Sequence, residues 1–202
     1  MVLWPHGVDL EKFPLPSADD KQKARNACSL PEDSKGPVWL YVTRLAKEKN
    51  VKRFLDLKVD GIKILVGPHE SGETIAQLKK QYPHAIITGA VTHSQLIEYY
   101  HAADVFVFPS KHNVFGIAML EALACGLPVV AFEVPGPKDV VPRGTVSYLA
   151  EKDANLEKCA ETARIDLTRR ESITPAECRK YAEKFSWDKA VDTLINNLIK
   201  IK

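Results

Sequence analysis

The segment DVFVFPSKHNVFGIAMLEALACGLPVVAF (104–132) decides the fold class of this chain. Residues 104–109 are apolar at nearly every position, and so are residues 128–132, which predicts two strands that are buried on both faces. Between them a short polar loop leads into a helix predicted over 117–125, and Gly126 follows as the glycine that typically ends a helix. Strand, helix and strand in this order favour a parallel sheet covered by helices.

The same alternation extends in both directions along the chain. Further strands are predicted at 38–43, 61–67, 84–90 and 146–150, further helices at 49–57, 73–82 and 93–103, and mostly helix from residue 154 onward. We therefore expect an α/β fold, a Rossmann-like parallel sheet with helices on both faces. In such sheets ligands bind outside the carboxyl ends of the strands, near the point where the strand order reverses. Chemistry is expected in the loops after residues 43, 67, 89, 109 and 132.

Composition excludes several function classes. The chain has 202 residues, of which 45% are hydrophobic and 27% are charged, and its net charge is +2. A charge so close to balance disfavours sequence-independent binding of nucleic acid, which requires a basic surface. No apolar stretch approaches the ~20 residues of a membrane span, and the first residues (MVLWPHGVDLEKF) lack the pattern of a signal peptide. The four scattered cysteines favour ordinary thiols, and together these features predict a cytoplasmic protein.

Three familiar nucleotide or metal motifs are excluded. The loop GPHESGET (67–74) has the glycine spacing of a phosphate-binding P-loop, but Glu73 stands where that loop needs a lysine, and a carboxylate there would repel phosphate. The GxGxxG fingerprint of dinucleotide-binding proteins does not occur in the sequence. No DxD pair offers ligands for a metal bound to a diphosphate, so neither a metal nor another cofactor is expected.

The polar part of the deciding segment holds the strongest candidate residues. Backbone N–H groups at a helix start near Gly116 suit a phosphate or a sugar hydroxyl, and a glycine there lets a ligand approach closely. Glu121 lies on this helix among Ala, Met and Leu, and its position alone fits either a ligand or a solvated helix glutamate. Asn113 is most simply the N-cap of the helix.

Four segments together resemble a known protein family. DVFVFPSKHNVFGIAMLEALACGLPVVAFEVPGPKDVV (104–141) closely resembles the retaining glycosyltransferases of family 4, which have the two-domain B-type fold. WPHGVDLEKF (4–13), YVTRLAKEKNV (41–51) and FSWDKAVDTLI (185–195) resemble the same family in the right order. The likeness covers nearly the whole chain. Its motifs are most similar to those of the branch of α-mannosyltransferase and sulfolipid-synthase relatives.

The resemblance implies roles for individual residues. Arg44 and Lys49 would be the catalytic residues, because they would stabilise the charge that develops on the donor's diphosphate as it leaves. Without the resemblance they are two surface cations that follow a strand. Glu121 matches the second glutamate of the family's E-x7-E motif, which accepts hydrogen bonds from the two vicinal ribose hydroxyls. Val91, after the third predicted strand, corresponds to the region that holds the base.

The residues before the helix would contact the donor sugar and its phosphates. By resemblance these are the backbone groups around Val114, Phe115, Gly116 and Ile117. Asn113 occupies the first position of the E-x7-E motif, where the family has glutamate and this branch usually has aspartate. An amide hydrogen-bonds a sugar hydroxyl but supplies no negative charge beside an oxocarbenium-like centre. This departure leaves open which sugar is bound and whether it is transferred.

The resemblance also divides the chain. Residues 1–33 are predicted to form an interdomain crossover segment, 34–184 a nucleotide-sugar-binding Rossmann-like domain, and 185–202 a C-terminal helix that packs back toward an N-terminal domain. B-type enzymes bind the acceptor on that N-terminal domain and react in the cleft between the two. The chain starts where the family's second domain starts, so it is predicted to be either a fragment of a longer enzyme or a stand-alone donor-binding domain.

The predicted function is to bind a nucleotide-diphospho-sugar, with GDP or UDP as the nucleotide, for metal-independent retaining transfer of a hexose to a lipid or saccharide acceptor. A lipid acceptor would place the protein at the cytoplasmic face of the membrane. The chain by itself is expected to be inactive, because it holds no acceptor domain. Two alternatives remain. One is a non-catalytic nucleotide-sugar-binding module, which Asn113 favours; the other is an epimerase or phosphorylase of the same fold, although nothing marks the pyridoxal-type lysine of a phosphorylase.

Overall fold

Strands and helices alternate along most of the chain in the computed structural model, which describes residues 6–31, 35–69, 75–111, 116–141, 143–169 and 173–199. The strands are β1 (Val38–Val42), β2 (Ile62–Val66), β3 (Ile86–Ile87), β4 (Val105–Phe108), β5 (Val129–Phe132) and β6 (Ser147–Ala150). The helices are α1 (Ala18–Ala27), α2 (Val51–Leu55), α3 (Ile75–Gln81), α4 (His93–Ala102), α5 (Ile117–Ala124), α6 (Pro137–Val140), α7 (Leu156–Arg169), α8 (Pro175–Ala182) and α9 (Trp187–Ile199). Short 3-10 turns occupy Lys47–Lys49, Asp153–Asn155 and Glu183–Phe185.

The strands of the described residues form one parallel sheet in the order β3-β2-β1-β4-β5-β6. The strand order reverses between β1 and β4, which are neighbours although two strands separate them in sequence. Every residue of β4 and β5 is buried, because helices cover the sheet, as the apolar runs predicted. The α/β, Rossmann-like fold is therefore confirmed.

The helix after β4 ends as its sequence predicts. Gly126 has φ 84°, a left-handed conformation that favours glycine, directly after the C-cap Cys125. Its N–H donates to the carbonyl oxygen of Leu123, and the N–H of Leu127 donates to that of Ala122. These two bonds form a Schellman motif, which satisfies carbonyl groups that the end of α5 would otherwise leave unpaired.

The third strand and the second helix are shorter than predicted. β3 spans two residues, Ile86–Ile87, where residues 84–90 were expected to be extended. It is an edge strand and pairs with β2 alone, so hydrogen bonds on one side only hold it in the sheet. α2 begins at Val51 because Asn50, at φ 55°, interrupts the helical conformation that the sequence pattern placed from residue 49.

The opening of the chain contains a helix, α1, that the sequence pattern did not predict. Ser17 and Asp20 form a capping box: the N–H of Asp20 donates to Ser17 Oγ at 3.1 Å, and the N–H of Ser17 donates to Asp20 Oδ2 at 3.1 Å. The helix packs against α4. Phe13 and Ala24 are each 5% exposed, so this part of the chain belongs to the hydrophobic core.

Asp104 closes the amino edge of the sheet, the edge at which the strands begin. Its carboxylate accepts from Lys21 Nζ at 2.7 Å and from Arg25 Nη2 at 2.7 Å. Its Oδ2 also accepts from the backbone N–H of Val38 at 2.8 Å. One carboxylate thus joins α1 to the starts of β1 and β4.

The incoming and outgoing parts of the chain run side by side. Val8 and Ser186 form a parallel bridge, and the N–H of Val8 donates to the carbonyl oxygen of Phe185 at 2.7 Å. Gly7 packs so closely on Trp187 that a Cβ there would lie 2.5 Å from the indole ring. The helix α9, predicted as the closing helix, starts directly after this bridge.

Candidate functional site

The strand order places two loops next to each other at the carboxyl edge of the sheet, the edge at which the strands end. The loop after β1 holds Arg44 and Lys49, and the chain after β4 leads to Gly116 at the start of α5 and to Glu121 within that helix. β1 and β4 are hydrogen-bonded neighbours at the reversal of strand order. Ligands of open α/β sheets bind at that place. The structure therefore brings together the two segments on which these four predicted residues lie.

Two hydrogen bonds join the loops. Asn50 donates from Nδ2 to the carbonyl oxygen of Pro109 at 3.1 Å, and Ser110, which is fully buried, donates from Oγ to the carbonyl oxygen of Glu48 at 3.4 Å. Sequence reasoning missed both residues. Asn50 carried one usable signal, because asparagine tolerates the left-handed conformation that it adopts at φ 55°. The bonds fix the spacing between the loop that carries the cations and the chain that leads to α5.

Arg44 precedes the 3-10 turn of this loop, and Lys49 is the last residue of that turn. The carbonyl oxygen of Lys49 accepts from the hydroxyl of Tyr41, a fully buried residue of β1, at 2.7 Å. The side chain of Arg44 is 55% exposed and lies 3.9 Å from the Glu48 carboxylate, which is 49% exposed. An ion pair that is so long and so exposed contributes little to stability.

The loops after β1, β2 and β3 are packed backbone against backbone. The N–H of Gly67 donates to the carbonyl oxygen of Gly89 at 3.0 Å. Gly67 has φ 147°, and a Cβ there would lie 1.7 Å from the carbonyl oxygen of Thr43. Glycine is required at position 67 for this contact between loops. The rest of the loop GPHESGET, residues 70–74 with Glu73, lies outside the described residues.

The start of α5 offers backbone N–H groups to the candidate site. Its N-cap is Gly116, at φ 84° and ψ 59°, and no side chain of the described residues caps its first N–H groups. A Cβ at Gly116 would lie 2.6 Å from Met119 Cε, so the backbone turns closely over the helix. Ile117 is 41% exposed. Uncapped N–H groups at a helix start attract anions.

The N-cap assignment of Asn113 is wrong, because Gly116 occupies that position of α5. Asn113, Val114 and Phe115 themselves lie outside the described residues. Their implied contacts with the donor sugar stay a prediction.

Glu121 is half-buried and held by a tyrosine. The hydroxyl of Tyr100, a fully buried residue of α4, donates to Glu121 Oε2 at 2.7 Å. Burial raises the pKa of the Glu121 carboxyl above its ordinary value, while the Tyr100 hydrogen bond and the nearby His93 act in the opposite direction. Glu121 is thus not a solvated helix glutamate, and that alternative is wrong. Sequence reasoning missed Tyr100, since a tyrosine within the helical pattern HSQLIEYYHAA gives no sign of its partner.

Val91 lies at the same edge of the sheet, after β3. It is half-buried against the hydrophobic core and directly precedes Thr92, the N-cap of α4. Two strands separate β3 from β4 in the sheet, so Val91 is at the far end of the edge from α5. Its assignment to the base region stays a prediction, as do the roles implied for Arg44, Lys49 and Glu121.

Metal sites, membrane-spanning helices and the state of the cysteines can be examined in the described part of the chain. There, no three His, Cys, Asp or Glu side chains lie close enough together to hold a metal ion. None of the helices in that part is long and apolar enough to cross a membrane. The four cysteines are free thiols, as predicted, and burial raises the pKa of Cys125 and of Cys178 to about 12.

Comparisons with known proteins agree with this architecture. The model of the family "Glycosyl transferases group 1" matches residues 22–185. Sulfoquinovosyl transferase SQD2 of Arabidopsis thaliana is 30% identical over 96% of this chain and 39% of its own length. A GDP-mannose-dependent α-mannosyltransferase of Mycobacterium tuberculosis is 38% identical over 68% of this chain and 35% of its own length. The chain thus spans less than half the length of these relatives.

A solved structure shows the same fold. HepE of Anabaena, crystallised in complex with UDP, superposes with a TM-score of 0.80 over 96% of this chain and 56% of HepE, at 21% sequence identity. The sheet and its surrounding helices are those of B-type glycosyltransferases.

Proposed function

This chain belongs to the glycosyl transferases group 1 family, and from that premise we propose that it binds the nucleotide-diphospho-sugar donor of a retaining glycosyltransferase. The donor is a UDP- or GDP-sugar, and a hexose is transferred to a lipid or saccharide acceptor. The acceptor is bound by a second domain. If the acceptor is a lipid, the enzyme works at the cytoplasmic face of the membrane.

One observation carries the proposal. At the reversal of strand order, the loop with Arg44 and Lys49 is hydrogen-bonded to the chain that leads into α5, and Glu121 is held half-buried on that helix. Two cations, an uncapped helix start and an oriented carboxylate on neighbouring segments match the parts of a nucleoside diphosphate. The cations and the helix start suit the two phosphates. The carboxylate suits the two ribose hydroxyls.

In the proposed reaction, the bond between the anomeric carbon of the sugar and the diphosphate oxygen breaks. The acceptor hydroxyl attacks from the same face, so the configuration is retained, and its proton passes to the departing phosphate. Arg44 and Lys49 neutralise the charge that grows on the diphosphate, and the first N–H groups of α5 add to this effect. Asn113 hydrogen-bonds the donor sugar.

Calorimetry with UDP and with GDP tests the proposal on the chain itself. We expect one of them to bind, and Glu121→Ala to weaken that binding about tenfold or more, because a hydrogen bond to a charged group is worth about 1.5–3 kcal/mol. Glu121→Gln keeps one acceptor oxygen and should lose less. Failure of the parent chain to bind either nucleotide would contradict donor binding. Equal affinity in parent and Glu121→Ala would contradict the ribose assignment.

The cations have a matched control within the same loop. Arg44→Ala and Lys49→Ala should each weaken nucleoside diphosphate binding roughly three- to tenfold, since each removes a charged donor to phosphate. Lys47→Ala removes an exposed lysine of the same turn and should leave affinity within about twofold. If all three variants behave alike, the cations act only through net charge.

The outer face of α9 is the proposed contact with the acceptor domain. Trp187, Val191 and Ile195 recur at every fourth position, so they form one apolar stripe, and each is 45–49% exposed. These family relatives are about twice as long as this chain or longer, which leaves room for a domain to cover the stripe. Val191→Lys should leave the melting temperature of the chain unchanged, whereas Ala190→Asp, at a position 1% exposed, should lower it. A lower melting temperature for Val191→Lys would show that the stripe is covered within the chain.

The chain alone is expected to bind the donor without transferring its sugar. Purified residues 1–202 with UDP- or GDP-sugar and a panel of saccharide and lipid acceptors should form no glycoside. Transfer by the purified chain would show that the acceptor side is supplied by this chain or by a second copy.

A further inference from the structure

Tyr100 is a fully buried tyrosine whose hydroxyl contacts Glu121, the residue proposed to bind the ribose. Its hydroxyl donates to Glu121 Oε2 at 2.7 Å and lies 3.4 Å from the carbonyl oxygen of Ala118. Its ring packs edge-on against Phe13, with 5.7 Å between the ring centroids, and lies tilted against Phe106 at 6.1 Å. A ring packed by two aromatic neighbours fixes the direction from which its hydroxyl meets the carboxylate.

The hydrogen bond leaves the second carboxylate oxygen available. Among the residues that the structure describes, Tyr100 is the hydrogen-bond partner of the Glu121 carboxylate, and it contacts Oε2 only. No fully buried side-chain oxygen or nitrogen in that part of the chain lacks a partner. Oε1 is therefore not fully buried. A carboxylate that is anchored through one oxygen presents the other in a fixed direction.

We propose that Tyr100 is a positioning residue of the nucleotide site, whose hydroxyl orients Glu121 so that Oε1 faces the ribose hydroxyls. This role rests on the proposed function, because it requires that Glu121 bind the ribose. Recognition of the ribose, as distinct from the phosphates and the base, then depends on a group that never touches the ligand.

A purely structural role for the same bond predicts something different. A buried tyrosine hydroxyl needs an acceptor, and Glu121 supplies one. In that case removal of the hydroxyl lowers the melting temperature and leaves the discrimination between nucleotides unchanged. Only the positioning role links the hydroxyl to the preference for a ribose over a sugar that lacks its hydroxyls.

The test compares a nucleoside diphosphate with its 2′,3′-dideoxy counterpart, using UDP or GDP, whichever binds the parent more tightly. Tyr100→Phe removes the hydroxyl and keeps the ring. It should weaken binding of the ribonucleotide about three- to tenfold and leave binding of the dideoxynucleotide unchanged. The ratio of the dideoxynucleotide Kd to the ribonucleotide Kd, which measures the preference for ribose, therefore falls by the same factor. Tyr99→Phe is the matched control at the adjacent, half-buried position, and its ratio should equal that of the parent.

A double-mutant cycle completes the test. Tyr100→Phe should add nothing in a Glu121→Ala background, because the hydroxyl acts through the carboxylate. Should Tyr100→Phe unfold at the assay temperature, both nucleotides are titrated at a lower temperature at which its thermal melt shows the variant to be folded. A parental ratio in the folded variant overturns the proposal.

The outcomes distinguish a failure of this proposal from a failure of the proposed function on which it rests. A parent chain that binds neither UDP nor GDP overturns donor binding and the role of Tyr100 together. Equal binding by parent and Glu121→Ala overturns the ribose assignment. A loss in Glu121→Ala combined with a parental ratio in Tyr100→Phe overturns the role of Tyr100 alone.

Discussion

The two edges of the sheet carry the same kinds of charged side chain in opposite arrangements. At the amino edge, the Asp104 side chain is 17% exposed and accepts three hydrogen bonds of 2.7–2.8 Å, from Lys21, Arg25 and the backbone of β1. At the carboxyl edge, Arg44 lies 3.9 Å from Glu48, and about half of each side chain is exposed. A shielded and fully paired carboxylate stabilises the fold, whereas a long exposed pair keeps its cation within reach of a ligand.

This difference separates stability from binding in space. Substitutions at the amino edge should lower the free energy of unfolding and leave nucleotide affinity alone. Substitutions of the exposed side chains at the carboxyl edge should do the reverse. Four predictions test that separation. Gly67 is the expected exception, because a substitution there should lower both stability and binding.

Gly67→Ala is expected to have the largest effect, because the carboxyl edge also depends on close backbone packing. The new Cβ would lie 1.7 Å from the Thr43 carbonyl oxygen, so the loops after β1 and β2 must move apart. We expect a loss of about 3 kcal/mol or more in urea unfolding, together with weaker nucleotide binding. Gly144→Ala is the control: its φ of 77° is also positive but nothing lies within 4 Å of the new Cβ, so its loss should be about 1 kcal/mol. Equal losses in the two variants would contradict the packing argument.

Asp104→Ala should destabilise the protein by about 2–3 kcal/mol in urea unfolding. It leaves two partly buried cations and the Val38 N–H without their acceptor. Asp192→Ala, an exposed change on α9, should stay within about 0.5 kcal/mol of the parent. Binding of UDP or GDP to folded Asp104→Ala should equal that of the parent. A large change in affinity would contradict the expectation that the amino edge contributes to stability and not to binding.

The pH dependence of binding should follow Glu121. Burial raises the pKa of its carboxyl, and ribose binding needs the ionised form, so affinity should fall as the pH is lowered through that raised pKa. The fold responds with the opposite sign: burial favours the protonated form, so the same group adds stability at low pH, and this is lost as the pH rises through its folded-state pKa. Calorimetry between about pH 5 and 7.5 measures the first effect.

The control for the pH series is Glu121→Gln, which cannot titrate. The terminal phosphate of a nucleoside diphosphate has a pKa near 6 and titrates in the same range, so the difference between parent and variant is the quantity of interest. Parallel curves for the two proteins would exclude a role of the Glu121 charge in binding.

Asn113→Ala is expected to have the smallest effect and to affect only the intact donor. Gly116 is the N-cap of α5, so loss of the asparagine should leave the melting temperature unchanged. Free UDP or GDP should bind as to the parent, and the nucleotide-sugar should bind less tightly. A lower melting temperature with unchanged donor binding would assign position 113 to the fold.

Much of the fold could be predicted because buried strands and helix ends leave local signals. The apolar runs of β4 and β5 and the glycine after α5 lie where their patterns indicated. α1 was missed because its sequence, ADDKQKARNA, buries only Ala24 and shows no apolar period. Its one local signal was the capping pair Ser17 and Asp20, in which aspartate stands where the usual pattern has glutamate or glutamine.

The position of the candidate residues in the fold was predictable, and their hydrogen-bond partners were not. Parallel strands send their following loops to one edge of the sheet, and the sequence pattern placed Arg44 and Lys49 after β1 and Glu121 on the helix after β4, as the structure has them. The bonds from Asn50 to Pro109, from Ser110 to Glu48 and from Tyr100 to Glu121 join elements that are 21 to 62 residues apart. Such partners depend on tertiary packing, which no periodicity in one segment records.

The bridge between Val8 and Ser186 has a mechanical consequence. The backbone enters and leaves this domain through two segments held together by a hydrogen bond of 2.7 Å and by the contact of Gly7 with Trp187. A neighbour joined through both segments would be attached by a two-stranded strap. Such a strap bends easily across its thin direction and resists bending in its own plane, so it would favour opening and closing about a single axis.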